Sequence, residues 1–346
     1  MGVAAALASA LLAAVASTLL AVEASRVDSL SNSAIRMFAA IPFLAVMLFV
    51  LGSQADLGRM SWSDLAQIAG SGVVRVFLGE SLFAASVVAL GMTRAYTTAT
   101  GVFNLLAFIL GAVFLGEVVS WRIALGAVLV VGGVYLVMLY GRAGAGNPLA
   151  DVRRLFARLT GGGQQLGAAA IPVGSTIGGA VGVVVTEPGQ PPDAIYLPVL
   201  GRFRPGLAGG TVLVLLTALA WAVSVVWIRS ASEDFDAVSA ALVRLPLATS
   251  LLIMAAAAQP ETALRRRTLS RRSVAVLAVS GVFAMGLASI VWIFALQEIG
   301  AGPASALFST SPVFALALGA VVLRERITPW VGAGTGLAVV GVVLIY

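Results

Sequence analysis

The 346-residue chain contains no cysteine, no histidine and no lysine, and only 10% of its residues are charged. The missing cysteine and histidine exclude disulfides, thiol chemistry, histidine-based catalysis and most zinc or haem sites. A soluble globular chain carries roughly 25% charged residues, so this chain has too few to cover a soluble surface of its size. Because 60% of the residues are hydrophobic, the composition indicates an integral membrane protein.

Sequence motifs for cofactors are also missing. There is no Walker motif, no Rossmann glycine pattern, no acidic metal cluster and no catalytic dyad, so we expect no cofactor and no metal. The net charge of +6 comes entirely from arginine on the basic side. These arginines cluster in short segments between apolar runs, where they hold helix ends at the cytoplasmic surface. We therefore expect a lipid bilayer as partner and no nucleic acid.

Apolar runs of about 20 residues, the length that crosses a bilayer, recur along the chain. They predict an all-α integral membrane protein with ten transmembrane helices in two groups of five. The first run has no basic residues before it and is too long for the core of a signal peptide, so we interpret it as a span. The predicted spans are 3–22, 35–52, 65–90, 96–115, 121–140, 210–229, 238–258, 273–296, 303–323 and 329–346.

The two groups are separated by a polar and glycine-rich segment, residues 141–209. Its beginning, "NPLADVRRLFARL", predicts a short amphipathic helix at the membrane interface. The later "GGAVGVVVTEPGQPPDAIYLPVLG" has β-branched runs on both sides of a Pro/Gly turn, which suits a small β-hairpin. A disordered tether remains open as an alternative, and so does an eleventh span over 166–185, although its glycines argue against it.

An internal repeat relates the two groups at an offset of 208 residues. At this offset 12 of the 29 positions over 110–138 are identical, and Arg36 aligns with Arg244. The first repeat covers 1–140 and the second 210–346. Because each has an odd number of spans, the second enters the membrane from the opposite side. The sequence therefore predicts inverted five-helix repeats, with a site at their interface near the bilayer midplane.

Three stretches give the chain a family likeness: "FLGEVVSWRIALGAVLVVGGV" at 114–134, "VLRERITPWVGAGTGLAVVGV" at 322–342 and "AGPASALFSTSPVFALALGAV" at 301–321. With the ten spans, they resemble the EamA-like transporter family of the drug/metabolite transporter superfamily. The resemblance implies alternating-access secondary transport of small metabolites, amino-acid-like or other organic solutes, with possible proton coupling. It also implies the cytoplasmic membrane of a prokaryote and a possible homodimer.

Arg75 and Glu80 lie near the middle of the predicted third span. An ionisable group at that depth must face the bundle interior, a partner or water. The two residues are five apart, about 140° around an α-helix, so they need not pair with each other. Glu80 aligns with Ala288 of the second repeat, so this charge has no counterpart there. We expect the pair to handle substrate or a proton, with buried structural pairing as the alternative.

Other residues are candidates for the solute pathway or for helix packing. Asn104 can bind a ligand or hydrogen-bond a neighbouring helix, and it stands where the second repeat has Pro312, a position suited to a kink. Trp227 and Trp292 can line a pocket, although tryptophans near helix ends more often form interfacial belts. Arg36 and Arg244, near the starts of their spans, are interpreted as repeated anchors or salt-bridge partners, with a pathway role as the alternative.

Glu117 and Glu325 occupy equivalent connectors between the last two spans of each repeat. A carboxylate there stabilises the positive end of the helix that follows, which predicts a structural role. The glycines of the last helices, among them Gly126 and Gly334, allow close helix packing. The family likeness assigns these helices to dimerisation or scaffold packing.

Membrane orientation is predicted differently by two arguments. The family likeness implies that both termini are cytoplasmic. With both termini outside, however, the cytoplasmic segments hold 15 arginines and the external ones three, which the positive-inside rule favours.

Two other functions stay open beside transport: a membrane scaffold or receptor that moves no solute, and a membrane enzyme acting on lipid-linked substrates. The missing histidine, cysteine and acidic pair weaken the enzyme hypothesis.

Overall fold

The structure is a computed structural model that describes residues 1–21, 27, 29–90, 92–118, 120–140, 195–197, 201–203, 207–258, 269–323 and 329–345. Apart from one short strand pair, its regular elements are helices. These are α1 Gly2–Ala21, α2 Ser29–Val50, α3 Gln54–Arg59, α4 Trp62–Gly72, α5 Glu80–Leu90, α6 Met92–Leu115, α7 Trp121–Tyr140, α8 Leu207–Ala231, α9 Ala237–Ala258, α10 Arg271–Gly281, α11 Ala288–Ile299, α12 Ala301–Phe308, α13 Ser311–Leu323 and α14 Pro329–Ile345.

Seven helical segments within the described residues are long and apolar enough to cross a membrane. They coincide with seven of the ten predicted spans. The two predicted last spans of the repeats appear as shorter apolar helices, 121–136 and 332–345. The predicted ninth span is not one helix: it is divided into α12 and α13 by a turn at Ser309–Thr310.

Contacts between connectors show how the segments alternate in direction. The Ser53 hydroxyl, after α2, donates to the Asp236 carboxylate, before α9, at 2.8 Å. The connector after α6 reaches the start of α12 through a bond from the Ala301 amide to Glu117, at 2.7 Å. At the opposite end, Val27 packs with Leu277 in a small buried cluster. Each contact joins connectors or helix ends that ten alternating segments would place at the same end of the bundle.

The two halves interlock through reciprocal helix crossings. A methyl group at Gly72 in α4 would overlap the main-chain oxygen of Arg244 in α9, and one at Gly281 in α10 would overlap that of Arg36 in α2. The second segment of each half therefore approaches the third segment of the other half at backbone contact distance. Hydrogen bonds join the first segment of each half to the third segment of the other half. The Ser224 hydroxyl donates to the Ser71 carbonyl at 2.8 Å, and the Ser280 hydroxyl donates to the Ala16 carbonyl at 2.9 Å.

The third segment of each half contains a π-helical insertion directly after this crossing. Val73–Gly79 joins α4 to α5, and Val282–Leu287 joins α10 to α11. Both third segments begin with a serine cap: Ser61 accepts from the Asp64 amide in a capping box, and Ser270 accepts from the Ser273 amide. The π-helices rotate the second part of each segment relative to the first, and such insertions often occur at functional sites.

The last helices of the two halves, α7 and α14, pack against each other. A methyl group at Gly126 would meet the Gly341 carbonyl, and one at Gly133 would meet the Gly334 carbonyl. The predicted close packing by Gly126 and Gly334 therefore occurs within one chain, because glycine permits two backbones to touch. The proposed homodimer stays a prediction.

In the segment between the halves, the structure describes two strands, β1 Ile195–Leu197 and β2 Gly201–Phe203. They pair antiparallel with Tyr196 opposite Arg202. The predicted amphipathic helix at 147–159, the turn of the predicted hairpin and the eleventh span considered at 166–185 lie outside the described residues. Glu325 and its connector lie outside them as well.

Candidate functional site

A cavity of about 90 Å³ lies between the two halves. It is lined by helices of both repeats, because the second and third segments cross reciprocally around it. Its lining residues are Ser9, Ser33, Arg36, Met37, Arg75, Val76, Glu80, Phe103, Arg244, Leu245, Ala284, Met285, Ala288, Ser289, Trp292 and Phe308. The volume suffices for several water molecules or a small solute.

Arg36 and Arg244 face this cavity from opposite halves. Both were expected near the starts of their spans, but each lies about two turns inside its helix, seven residues after Ser29 in α2 and seven after Ala237 in α9. For Arg36 the difference arises because the polar "SLSNS" run is helical, so α2 begins at Ser29 rather than at residue 35. The residues are 1% and 6% exposed, so neither lies at an exposed membrane edge as an anchor would.

The two arginines have different surroundings. Arg244 donates from Nη2 to the Ser224 hydroxyl at 3.0 Å, and its guanidinium carbon lies 5.4 Å from the centre of the Trp292 ring. In contrast, Arg36 Nε and Nη2 are buried without a hydrogen-bond partner among the described residues. The first repeat has Ala16 at the position equivalent to Ser224, so the hydroxyl that binds Arg244 has no counterpart beside Arg36.

Arg75 and Glu80 line the same cavity, against the expectation of a 140° separation. Arg75 lies in the π-helix that ends just before Glu80. A π-helix turns through a smaller angle per residue than an α-helix, so residues five apart are separated by less than the 140° expected. Arg75 and Arg36 both interact electrostatically with Glu80. The Glu80 Oε2 atom is buried without a hydrogen-bond partner among the described residues.

An aromatic cluster holds the Arg75 guanidinium. Its central carbon lies 4.7 Å from the Trp221 ring centre and 6.0 Å from the Phe103 ring centre, at distances typical of cation–π contacts. The Trp221 ring also packs edge-on against Phe103, with 6.0 Å between the centroids. This arrangement fixes the position of a charge whose burial in a spanning helix costs at least about 2.5–3.5 kcal/mol.

Asn104 is buried but is not among the cavity-lining residues. Its Nδ2 donates to the Ser309 hydroxyl at 2.9 Å, and that hydroxyl donates to the Ser305 carbonyl at 2.9 Å. The two predicted roles were to bind a ligand or to hydrogen-bond a neighbouring helix, and this contact corresponds to the second. The contact lies at the turn between α12 and α13. Pro312 is the second residue of α13, where a missing amide hydrogen is tolerated, so the segment is interrupted rather than kinked.

The two candidate tryptophans lie in different environments. Trp292 lines the cavity, is 8% exposed and packs against Phe308 with 6.3 Å between the ring centroids. Trp227 does not line the cavity and is 41% exposed, near Gly70. The position of Trp227 therefore does not support a role in the solute pathway. It suits the interpretation as part of an interfacial aromatic belt.

Glu117 caps a helix, but not the one expected. Its Oε1 accepts the Ala301 amide at 2.7 Å and its Oε2 lies 3.5 Å from the Gly302 amide, at the start of α12 in the other half. The next helix, α7, is capped instead by Ser120, whose hydroxyl accepts the Ile123 amide at 3.3 Å. The expectation was wrong because a left-handed turn at Gly116, with φ of +65°, directs the carboxylate across the repeat interface.

Several cavity residues were not identified from the sequence. The serines Ser9, Ser33 and Ser289 line the cavity, as do the aromatic residues Phe103 and Phe308. Trp221 stands opposite Ala13 in the repeat alignment, and this difference between the repeats was the one available signal. Scattered serines and phenylalanines in apolar helices carry no comparable signal, because most such residues simply pack.

Comparisons with known proteins agree with this architecture. The model of the EamA-like transporter family matches residues 1–139 and 208–346, which leaves out the segment between the two halves. A crystal structure 15% identical in sequence aligns with 99% of this chain and 96% of its own, with a TM-score of 0.62, so the two share a fold. A comparison with curated protein sequences finds no match.

Proposed function

Because the chain belongs to the EamA-like transporter family, within the drug/metabolite transporter superfamily, we propose that it is a secondary transporter of small organic solutes. It is a multi-pass membrane protein. In our proposal it lies in the cytoplasmic membrane of a prokaryote with ten membrane segments, and the second half is inverted relative to the first. The solute passes through the central cavity by alternating access, as the two halves rock around a fixed site.

The observation that carries the proposal is the position of the buried charges. Arg36, Arg75, Glu80 and Arg244 come from both halves and line one cavity at their interface. Charged side chains inside a membrane bundle commonly mark a substrate or ion pathway, because burial is too costly to be kept without a role. The reciprocal glycine contacts beside Arg36 and Arg244 bring the two halves to backbone distance next to the cavity.

We further propose that Glu80 couples transport to protons. Its carboxylate is the one acidic group among the described residues that line the cavity, and its Oε2 has no hydrogen-bond partner there. Protonation would change the charge that the cavity presents to a solute and to the neighbouring arginines. A carboxylate that alternates between the two sides of the membrane could therefore link solute and proton movement.

The test is solute flux in vesicles reconstituted with the purified protein. A panel of labelled solutes (lactate, succinate, glycerol 3-phosphate, alanine and glucose) is offered with and without an imposed proton gradient. We expect gradient-stimulated uptake of at least one solute by the wild type, and loss of that stimulation with Glu80→Gln. The exposed Arg122→Gln serves as the control and should transport like the wild type. The transport hypothesis is wrong if no solute moves, or if Glu80→Gln and Arg75→Ala affect assembly alone.

A further inference from the structure

The charge of the cavity indicates what kind of solute it holds. Three guanidinium groups face it, from Arg36, Arg75 and Arg244, against the single carboxylate of Glu80. The described lining therefore has a net charge of +2 when Glu80 is ionised and +3 when it is protonated. In a low-dielectric bundle such an excess is unfavourable unless an anion compensates it. A neutral or cationic solute would leave the excess in place.

Arg36 supplies the most specific part of this site. It is 1% exposed, and its adjacent Nε and Nη2 atoms have no hydrogen-bond partner among the described residues. Buried polar groups are nearly always hydrogen-bonded, so two unused donors on one edge of a guanidinium need an explanation. This edge has the spacing for two parallel bonds to one carboxylate or phosphate group. On the other half, Arg244 gives its Nη2 hydrogen to Ser224 and stacks on Trp292 instead.

A third buried donor without a partner belongs to a side chain that lines the same cavity. The Trp292 Nε1 atom is buried without a partner among the described residues, on a side chain that lines the cavity. An indole nitrogen can only donate a hydrogen bond, and a guanidinium can only donate. Arg36 and Trp292 together therefore need a ligand rich in acceptor oxygens. Apart from serine hydroxyls, the described lining offers one acceptor side chain, Glu80.

We propose that the transported solute is a small organic anion and that the Nε–Nη2 edge of Arg36 binds its carboxylate or phosphate group, with Trp292 donating a further bond. This inference rests on the proposed function, since it names the class of solute for the same cavity. The asymmetry between the repeats makes the site directional: the half with Ala16 presents a vacant guanidinium edge, and the half with Ser224 presents an occupied one.

The test compares acids with their neutral counterparts on the purified full chain in detergent. Lactate is paired with lactamide, succinate with succinamide and glycerol 3-phosphate with glycerol, and inorganic phosphate is added alone. Binding is measured as a saturable rise in the thermal unfolding midpoint, at constant ionic strength. We expect at least one acid to bind and its neutral partner not to bind. Preference for lactate or succinate identifies a carboxylate site, and preference for the phosphates identifies a phosphate site.

Variants of Arg36 separate specific binding from general charge effects. Arg36→Lys keeps the charge but loses the two-donor edge, so we expect affinity for the acid to fall roughly tenfold to a hundredfold. We expect Arg36→Gln to abolish binding and Arg122→Gln, on the exposed surface, to leave it unchanged. If Arg36→Gln does not fold, the acid–amide comparison on the wild type and the Arg36→Lys affinity still decide the question.

The anion assignment is overturned if the amides bind as well as the acids, if no acid in the panel binds, or if folded Arg36→Gln binds the acid like the wild type. Flux measurements distinguish this failure from failure of the transport hypothesis. Vesicles that move alanine or glucose while the protein binds no acid refute the anion site and keep transport. Acid binding that depends on Arg36, with no flux of any solute in the panel, keeps the anion site and refutes transport.

Discussion

Removing the Glu117 carboxylate should loosen the start of α12 and leave α7 intact. The bond from the Ala301 amide to Oε1 is 2.7 Å long and involves a charged acceptor, a type of bond that contributes about 1.5–3 kcal/mol. The favourable interaction with the helix dipole adds about 0.3–1 kcal/mol. The contact with Gly302, at 3.5 Å, is too long to add much. We therefore expect Glu117→Ala to cost about 2–3 kcal/mol locally.

The assay is hydrogen exchange measured by mass spectrometry on peptides that cover the starts of α7 and α12. Since 1.4 kcal/mol corresponds to a tenfold change in an equilibrium constant, exchange at 301–304 should accelerate roughly 30- to 100-fold in Glu117→Ala. Glu117→Gln keeps an acceptor and loses only the charge, at a cost of about 1–2 kcal/mol, so its exchange should accelerate less than that of Glu117→Ala, by roughly 5- to 30-fold.

A matched control is Ser120→Ala, which removes the cap of α7 and should accelerate exchange at 121–124 alone. The interpretation is refuted if Glu117→Ala accelerates exchange in α7 and leaves the start of α12 unchanged. That outcome would restore the simpler expectation that the carboxylate caps the helix that follows it.

Three further predictions concern packing and orientation. Gly281→Ala should separate the halves, because the added methyl would overlap the Arg36 main chain, and purified protein should unfold at a clearly lower temperature. Asn104→Leu should cost about 1–3 kcal/mol by leaving the buried partner hydroxyl in α12–α13 without its side-chain partner, measured by denaturant titration. In intact cells, an impermeant thiol reagent should label a cysteine introduced at Val118, which is 87% exposed, and not one introduced at Arg271.

The orientation prediction follows from charge at the two ends of the bundle. The end that holds the connectors after α2, α6 and α8 carries seven acidic residues and three arginines: Asp56, Asp64, Glu117, Glu233, Asp234, Asp236 and Glu298, with Arg59, Arg122 and Arg229. Positive residues are retained in the cytoplasm, so this end should face outside. Labelling at Arg271→Cys but not at Val118→Cys would reverse that orientation. Since the chain has no cysteine of its own, each introduced thiol is unique.

Two results would contradict the predictions for the packing variants Gly281→Ala and Asn104→Leu. An unchanged unfolding temperature for Gly281→Ala would mean that α2 and α10 do not touch at backbone distance. Unchanged stability of Asn104→Leu would refute its role at the turn between α12 and α13, and a large loss of flux without loss of stability would assign Asn104 to the solute pathway instead.

The sequence predicted the features that depend on local composition and on the repeat. Apolar length located the helical segments to within six residues, although the predicted ninth span is two helices, because crossing a membrane requires about 20 apolar residues whatever surrounds them. The 208-residue offset paired Arg36 with Arg244 and Gly126 with Gly334, and the structure places both pairs at contacts between the halves. Such contacts were predictable because inverted repeats must pack against each other.

Features that depend on packing between the halves could not be predicted. No local signal predicts the π-helix at Val73–Gly79, since its residue types occur throughout the apolar helices of this chain. Similarly, nothing in the connector sequence indicates that Glu117 reaches across to Ala301 rather than to its own next helix. The repeat alignment shows that Trp221 differs from its counterpart Ala13, but the contact of its ring with the Arg75 guanidinium is seen only in the structure.

The central claim is that solute crosses the membrane through the charged cavity between the two halves. The most direct measurement is flux in reconstituted vesicles, comparing the wild type with a variant that fills the cavity, Ala288→Phe, and with the surface variant Arg122→Gln. The account predicts that Ala288→Phe folds but abolishes flux of every solute that the wild type moves, and that Arg122→Gln transports like the wild type. Wild-type flux through folded Ala288→Phe would contradict it.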